Sequence, residues 1–265
     1  MSVAVNAVVN GTPVTATSIT ISCTPAGSNR YMLIDVGVNN PSGPIPTVSS
    51  AVFNGSENAT LISRQEANNG EMALERWGLV APSATTANLV VTLSASQEFN
   101  AVVSTFTGVN QSTPLGTSVI DTYSAGGFAH SHATTSETDG LVWDTFIIRG
   151  DATSLTPDAG QTTQVAHHTI GTTGNGLDGI VSSEPGAASV TTGYTWGTAE
   201  FGRWVHVTSP IKPVGAVAGQ PTQKRFGGVP HTGTTKFRGG HSGGPWGRGR
   251  EGLIVPRYLI ERKAA

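Results

Sequence analysis

The segment from Thr138 to Gly150 reads TDGLVWDTFIIRG and contains the clearest strand pattern in the chain. Its centre, Leu141–Arg149, is dominated by the aliphatic, β-branched and aromatic residues that are enriched in strands. Turn-forming pairs lie on both sides of it, Asp139-Gly140 before and Gly150-Asp151 after. The segment therefore predicts a β-strand between two chain reversals.

The same pattern of short apolar or alternating runs between turn residues recurs along most of the chain. No window of about a dozen residues combines a helical period with helix caps. The predicted strands span Val14–Ser22, Tyr31–Val38, Thr47–Phe53, Ala59–Arg64, Ala73–Val80, Ala87–Ser94, Ala101–Thr107, Thr117–Tyr123, Ala133–Thr138, Leu141–Arg149, Thr162–Ile170, Gly179–Ser183, Ser189–Trp196 and Gly202–Thr208. So many short strands predict an all-β fold, a jelly-roll-like β-sandwich.

Charge is divided unequally along the chain. Only 12% of the residues are charged, and the formal net charge is −2. Residues 1–211 contain five arginines, no lysine and fifteen acidic residues, a net charge of −10, whereas residues 212–265 contain ten basic and two acidic residues, a net charge of +8. The composition becomes Gly-rich and basic near Pro213. We therefore predict a body, residues 1–213, and an extended basic C-terminal arm, residues 214–265, which has too few apolar residues for a core of its own.

The arm carries two kinds of candidate contact residue. The basic candidates are Lys224, Arg225, Lys236, Arg238, Arg248 and Arg250. The apolar candidates near the terminus are Leu253, Ile254, Val255, Tyr258, Leu259 and Ile260. A basic tether that ends in a strand-like apolar segment suggests docking on a partner, and packing of that segment on its own body is the alternative. Trp246 is either an aromatic anchor in a partner's pocket or a solvent-exposed residue of the tether.

Motifs for catalysis or cofactor binding are weak. The sequence shows no phosphate-binding loop, dinucleotide glycine pattern or metalloprotease helix motif. Gly240–Pro245 reads GHSGGP, but a Gly-rich tether supplies neither the rigid base nor the oxyanion hole of a serine protease. His130 and His132 are spaced to share a metal ion on one side of a strand, but no cysteine or cluster of acids completes the set, so we interpret them and His167-His168 as solvated or turn residues. We therefore predict no catalytic residue, no metal ligand, no cofactor and no enzymatic activity.

The aromatic residues divide into two groups. Trp77, Trp143 and Trp204 fall within strand runs and are predicted to lie in the core. Tyr194 and Trp196 lie near a Gly-flanked strand end and are the better candidates for an exposed binding face, a possible glycan face.

Seven segments of the body share a recognisable pattern, namely SNRYMLIDVGV (28–38), AVFNG (51–55), ERWGLVAPSATTANLVVTLS (75–94), AVVSTFTGVNQSTPLG (101–116), TDGLVWDTFIIRG (138–150), LTPDAGQTTQ (155–164) and GRWVHVTSPIKP (202–213). Together they resemble a β-sandwich module of tailed-phage virion proteins and some bacterial surface proteins, over about residues 14–213. The strongest piece is the turn TGVNQSTPLGT after a buried-looking strand. The basic arm lies outside this resemblance and is similar to the arms with which phage capsid decoration (cement) proteins reach neighbouring subunits.

The resemblance implies a structural virion protein that decorates and stabilises a phage capsid. The arm is expected to bind the major capsid protein or other virion proteins, with the protein as a homo-oligomer. The alternative is a tail or head-fibre module that binds host-surface glycans, and contact of the arm with nucleic acid ranks third because the arm has few paired aromatics. Because the sequence shows neither a secretory signal nor an apolar stretch long enough for a membrane helix, we expect a protein made in the host cytoplasm and located in the virion, without membrane contact.

Overall fold

The structure, a computed structural model, describes residues 1–67, 70–123, 127–150, 155–170, 176–197 and 203–215. All of these belong to one unit of the chain, Met1–Gln220. Their regular structure consists of β-strands without a helix: β1 (Ala4–Asn10), β2 (Val14–Cys23), β3 (Tyr31–Asn39), β4 (Val48–Phe53), β5 (Glu57–Asn58), β6 (Thr60–Ala67), β7 (Met72–Val80), β8 (Ala87–Thr107), β9 (Val119–Tyr123), β10 (Ala129–Thr134), β11 (Leu141–Arg149), β12 (Thr156–Pro157), β13 (Thr162–Ile170), β14 (Leu177–Pro185), β15 (Val190–Thr195) and β16 (Arg203–Ile211).

The described strands form three antiparallel sheets. The large sheet has the order β5-β4-β8-β3-β7-β6, and β1 and β2 also pair with β8. The five-stranded sheet has the order β13-β14-β11-β16-β9, so β11, the strand of the opening segment, lies at its centre. The three-stranded sheet has the order β10-β15-β12. The large and five-stranded sheets pack face to face, which confirms the predicted all-β sandwich; the arm beyond residue 215 lies outside the described residues.

Strand β8 is continuous, although its sequence predicts two strands, 87–94 and 101–107. The segment between these two runs is mostly polar and lacks the expected strand pattern. Strand β2 pairs with both sides of this segment, with a register shift between Ala16 and Ser18. Backbone pairing with a neighbouring strand therefore keeps the polar segment extended, whatever its own preference.

Strand β10 is displaced from its predicted position. The sequence pattern predicts a strand over 133–138, whereas β10 occupies 129–134. The displacement brings His130 and His132 into a paired strand, opposite Tyr194 and Thr192 of β15. The pattern also does not predict the strands β1, β5 and β12, of which the last two have only two residues each.

The core between the two large sheets is built around Trp143 of β11. Its ring packs edge-on against Phe106 of β8, with a centroid distance of 4.9 Å. Trp77 and Trp204 are buried as well, so the prediction that these three tryptophans lie in the core is confirmed. Burial of such large side chains supplies much of the hydrophobic contribution to the stability of a sandwich.

A buried ion pair joins the two sheets at the same level. Arg76 of β7 donates from Nε to Asp35 Oδ1 of β3 at 2.7 Å, and its two terminal nitrogens donate to Ser209 Oγ and Thr145 Oγ1 at 2.7 and 2.8 Å. Asp35 Oδ2 accepts hydrogen bonds from Thr145 Oγ1 at 2.9 Å and from Trp143 Nε1 at 3.3 Å. We call these five residues the Arg76–Asp35 network. Its charges are fully buried and each is compensated by a partner, as a buried charge requires.

Candidate functional site

A second group of polar side chains, most of them buried, lies where the three-stranded sheet contacts the five-stranded sheet. We call it the histidine cluster, and it consists of Asp121, His130, His132, Asp144 and His206. Asp121 of β9 and His206 of β16 are direct cross-strand partners, so their side chains lie on the same face. His130 and His132 are two residues apart on β10 and also share a side. Strand pairing and the two-residue period therefore bring together residues that are far apart in the sequence.

Two of the histidines belong to one chain of polar contacts. His132 Nδ1 lies 2.8 Å from Asp121 Oδ2, and its Nε2 lies 2.5 Å from Thr208 Oγ1. Thr208 Oγ1 donates to Asp144 Oδ1 at 2.5 Å, and His206 Nε2 lies 2.7 Å from the same carboxylate oxygen. The chain therefore runs from Asp121, a half-exposed acid, to His206, whose side chain is fully buried.

The three imidazole rings form a compact group. The rings of His132 and His206 stack with a centroid distance of 4.0 Å and an interplanar angle of 5°. His130 stands edge-on to both and lies over the ring of Trp204 at 4.0 Å. Each histidine has one ring nitrogen that lies within 4.8 Å of a ring nitrogen of each of the other two.

Two ring nitrogens of the cluster make no hydrogen bond within the part of the chain that the structure describes. These atoms are His130 Nε2 and His206 Nδ1, and both are shielded from solvent. His130 Nε2 lies 3.3 Å from Asp121 Oδ2, close enough for an ion pair but without the geometry of a hydrogen bond. Buried nitrogens of this kind are uncommon in folded proteins and call for an explanation, such as a ligand or an ion.

The electrostatics of the cluster favour the neutral form of His130 and His132 and the ionised form of the two acids. Burial lowers the pKa of His130 and His132, and the neighbouring histidines lower it further. Burial raises the pKa of Asp121, but the hydrogen bond with His132 and the charges of the histidines outweigh burial, so that pKa is lowered overall. Burial of Asp144 is likewise outweighed by His206 and Thr208, and its pKa is also lowered. Neutral imidazole and ionised carboxylate are the forms that bind metal ions.

The interpretation of His130 and His132 as solvated or turn residues is wrong. The side chain of His132 is 8% exposed and that of His130 is 19% exposed, and both lie in a paired strand. The sequence reasoning found the spacing of these two histidines but did not connect them with Asp121, Asp144 or His206. Asp144 did leave a signal, since an acid in the middle of the apolar run LVWDTFIIR is a buried polar residue that needs a partner. The side chains of His167 and His168 lie outside the described residues.

The predicted glycan-binding face is also wrong. Tyr194 has no exposed surface and Trp196 is 4% exposed. Both pack against Phe146 of the five-stranded sheet, with ring centroids 5.0 and 5.3 Å away. The Tyr194 hydroxyl forms a 2.8 Å hydrogen bond with Ser182 Oγ. Tyr194 of β15 and Trp196, just after its end, therefore belong to the contact between the three-stranded and the five-stranded sheet.

The candidate contact residues of the arm, from Lys224 to Ile260, lie outside the described residues, and their roles stay predictions. Within the described ranges no helix is long and apolar enough to span a membrane. Comparisons of the chain with protein-family models, with curated proteins and with solved structures find no match.

Proposed function

We propose that this protein is a structural virion protein of a tailed phage, a decoration protein whose sandwich body stands on the capsid and whose arm, residues 214–265, binds it there. The observation that carries the proposal is the division of charge between a body of −10 and a C-terminal part of +8. Such an arm suits an acidic partner surface, because complementary charge both steers and orients an association.

The described contacts of the body's arginines support this division. Each of these side chains bonds within the body, to carbonyl oxygens or to carboxylates. The five are Arg30, Arg64, Arg76, Arg149 and Arg203. The basic groups with which the chain binds an anionic partner are therefore concentrated after residue 211.

Backbone hydrogen bonds fix the last residues of the body and the first residue of the arm, Val214, to a turn of the body. Lys212 N donates to Pro114 O at 2.8 Å, and Val214 N donates to Gly108 O at 2.7 Å. Asn110 N donates in turn to Lys212 O at 2.9 Å. The acceptors and donors of this contact belong to the turn at 107–117, the strongest piece of the resemblance. A fixed starting point limits the volume that a tether samples and so raises the effective concentration of its end at a partner site.

The test is co-sedimentation of the tag-free protein with empty heads of the phage that encodes it. Deletion of residues 214–265 should abolish binding while the circular dichroism of the body stays unchanged. The pair Lys224→Gln and Arg225→Gln should weaken binding, more so at low salt than at high salt, because exposed charges are screened. Thr222→Gln with Gln223→Asn is the matched control and should bind as the full chain does.

Two results would overturn the proposal. One is full occupancy of the heads by the body without its arm. The other is a full-length chain that stays in the supernatant but binds duplex DNA with the steep salt dependence of phosphate contacts.

A further inference from the structure

We propose that His130, His132 and His206, together with the carboxylate of Asp121, bind a divalent transition-metal ion, and that the ion is Zn²⁺. The proposal goes beyond the virion role and does not depend on it. Three imidazoles and one carboxylate form a set of ligands that zinc prefers, whereas Mg²⁺ and Ca²⁺ require mainly oxygen ligands.

The contact between His132 and Asp121 places two possible ligand atoms side by side. His132 Nδ1 lies 2.8 Å from Asp121 Oδ2, and His132 Nε2 contacts Thr208 Oγ1, which donates to the buried carboxylate of Asp144. A metal ion bound by His132 Nδ1 and Asp121 Oδ2 takes the place of the hydrogen between them, since metal binding releases protons from its ligands.

A buried ring nitrogen of His206 also lacks a hydrogen-bond partner among the described residues. The Nε2 atom of His206 donates to the buried carboxylate of Asp144 at 2.7 Å, which fixes the tautomer and leaves the lone pair on Nδ1. No donor to Nδ1 is present among the described residues, and the side chain is fully buried. A carboxylate that holds the far nitrogen of a histidine is the usual arrangement behind a zinc ligand, because it orients the ring and increases its basicity.

The distances between the proposed ligand atoms compare with those of a zinc site as follows. With bonds of about 2.0–2.1 Å, the donor atoms of a tetrahedral zinc site lie roughly 3.3 Å apart. Asp121 Oδ2 lies 3.3 Å from His130 Nε2 and 2.8 Å from His132 Nδ1. One ring nitrogen of each histidine lies within 4.8 Å of one from each of the other two, and Asp121 is not part of that group, so the side chains must approach further for all four to bind one ion. The parallel rings of His132 and His206 must also tilt, since parallel lone pairs do not converge.

The ligands come from different sheets. His130 and His132 belong to β10, which is at one end of the three-stranded order, and Asp121 belongs to β9, at one end of the five-stranded order. An ion bound to them joins these two strands to β16, which carries His206. Zinc should therefore stabilise the contact between the two sheets, because an ion that binds only the folded state raises the free energy of unfolding.

The experiment uses the full-length, tag-free chain after removal of metal with a chelator. Zn²⁺ is added in competition with a chromophoric chelator, and Co²⁺ is added separately to record the absorption of its ligand field. We expect one Zn²⁺ per chain, a rise in Tm with zinc and a tetrahedral cobalt spectrum. His130→Ala should lose more affinity than the roughly 10–100-fold that loss of an outer-sphere partner costs, and should abolish the rise in Tm.

Two further variants make the result decisive. Asp121→Asn keeps the shape of the side chain and removes its charge, so it should weaken zinc binding. This variant tests the site even if His130→Ala unfolds the protein. His231→Ala with His241→Ala removes two histidines of the arm and should leave affinity and stoichiometry unchanged. The proposal is wrong if the full chain binds no zinc, if His130→Ala and Asp121→Asn both bind as well as the unmodified chain, or if the arm variant loses the site.

Discussion

The Arg76–Asp35 network and the histidine cluster are both groups of buried charged and polar side chains in one sandwich, but they differ in how completely their bonds are satisfied. In the network, both oxygens of Asp35 accept hydrogen bonds and the guanidinium of Arg76 donates to three different side chains. In the cluster, two ring nitrogens make no hydrogen bond to any described residue.

The position of each group explains this difference. The network lies between the two large sheets and links β3 and β7 to β11 and β16. The cluster lies where the small sheet meets the edge of the five-stranded sheet, and Asp121 there remains 41% exposed. A closed network in the middle of a core stabilises one arrangement of the sheets, whereas a cluster that keeps unbonded ring nitrogens beside a half-exposed acid can accept a ligand.

The largest expected effect is the loss of the central charge. Arg76→Ala leaves Asp35 buried without its cation, and breaking a buried pair in this way costs about 3–5 kcal/mol. Chemical denaturation should therefore show a large fall in the free energy of unfolding. The double variant Arg76→Met with Asp35→Leu removes both charges and should recover most of the loss. A single variant that loses less than about 1 kcal/mol would mean that the pair contributes no more than an exposed ion pair.

The second effect tests the cluster in the absence of metal. His206→Leu removes one partner of Asp144, which leaves a buried acceptor less well satisfied and costs about 1–3 kcal/mol. The loss should be smaller than for Arg76→Ala because Thr208 still donates to Asp144, as does Gln161 Nε2 at 3.2 Å. The measurement is denaturation with a chelator present. If His206→Leu lowered the free energy of unfolding as much as Arg76→Ala does, the histidine cluster would be as important for stability as the Arg76–Asp35 network, and the two groups would not differ in this respect.

Much of the fold was predictable because strand patterns are local. The bounds of β11 and β13 agree with the sequence pattern, since turn residues border both runs. Strand β10 was placed four residues too late, because AHSHAT lacks the apolar residues that mark a strand and is held by its pairing with β15. The pattern shows which residues prefer a strand, but pairing with a neighbour decides where a polar strand begins.

The histidine cluster was only half predictable because its members are distant in sequence. His132 and Thr208 are separated by 76 positions, and Asp144 and His206 by 62. Their contact depends on the register of β9, β11 and β16 and on the packing of β10 above them, none of which a single sequence shows. The burial of Tyr194 was missed for the same reason, since a small sheet that covers a larger one has no signature in the composition of its strands.

Tyr194→Phe should have a moderate effect on the free energy of unfolding. It tests whether the aromatic side of the three-stranded sheet is buried against the five-stranded sheet. The hydroxyl of Tyr194 bonds with Ser182 Oγ in a fully buried position, and such a hydrogen bond contributes about 1 kcal/mol. The neighbouring residue, Thr195, is exposed, so Thr195→Ala should change the free energy of unfolding by less than about 0.5 kcal/mol. Equal effects of the two changes would place the Tyr194 hydroxyl in solvent and restore the exposed face.

The smallest expected effect is that of His130→Ala in the metal-free protein. Its Nε2 makes no hydrogen bond to a described residue, so the change removes mainly the contact of the ring with Trp204, which we estimate at about 0.5 kcal/mol. Added zinc should then raise the stability of the unmodified chain and leave that of the variant unchanged, so that the difference between the two proteins grows with zinc concentration. No substitution in the Arg76–Asp35 network should show this dependence, since every contact there is made by the protein itself. A difference between His130→Ala and the unmodified chain that is already large without metal would instead make His130 a structural residue of the same kind as Arg76.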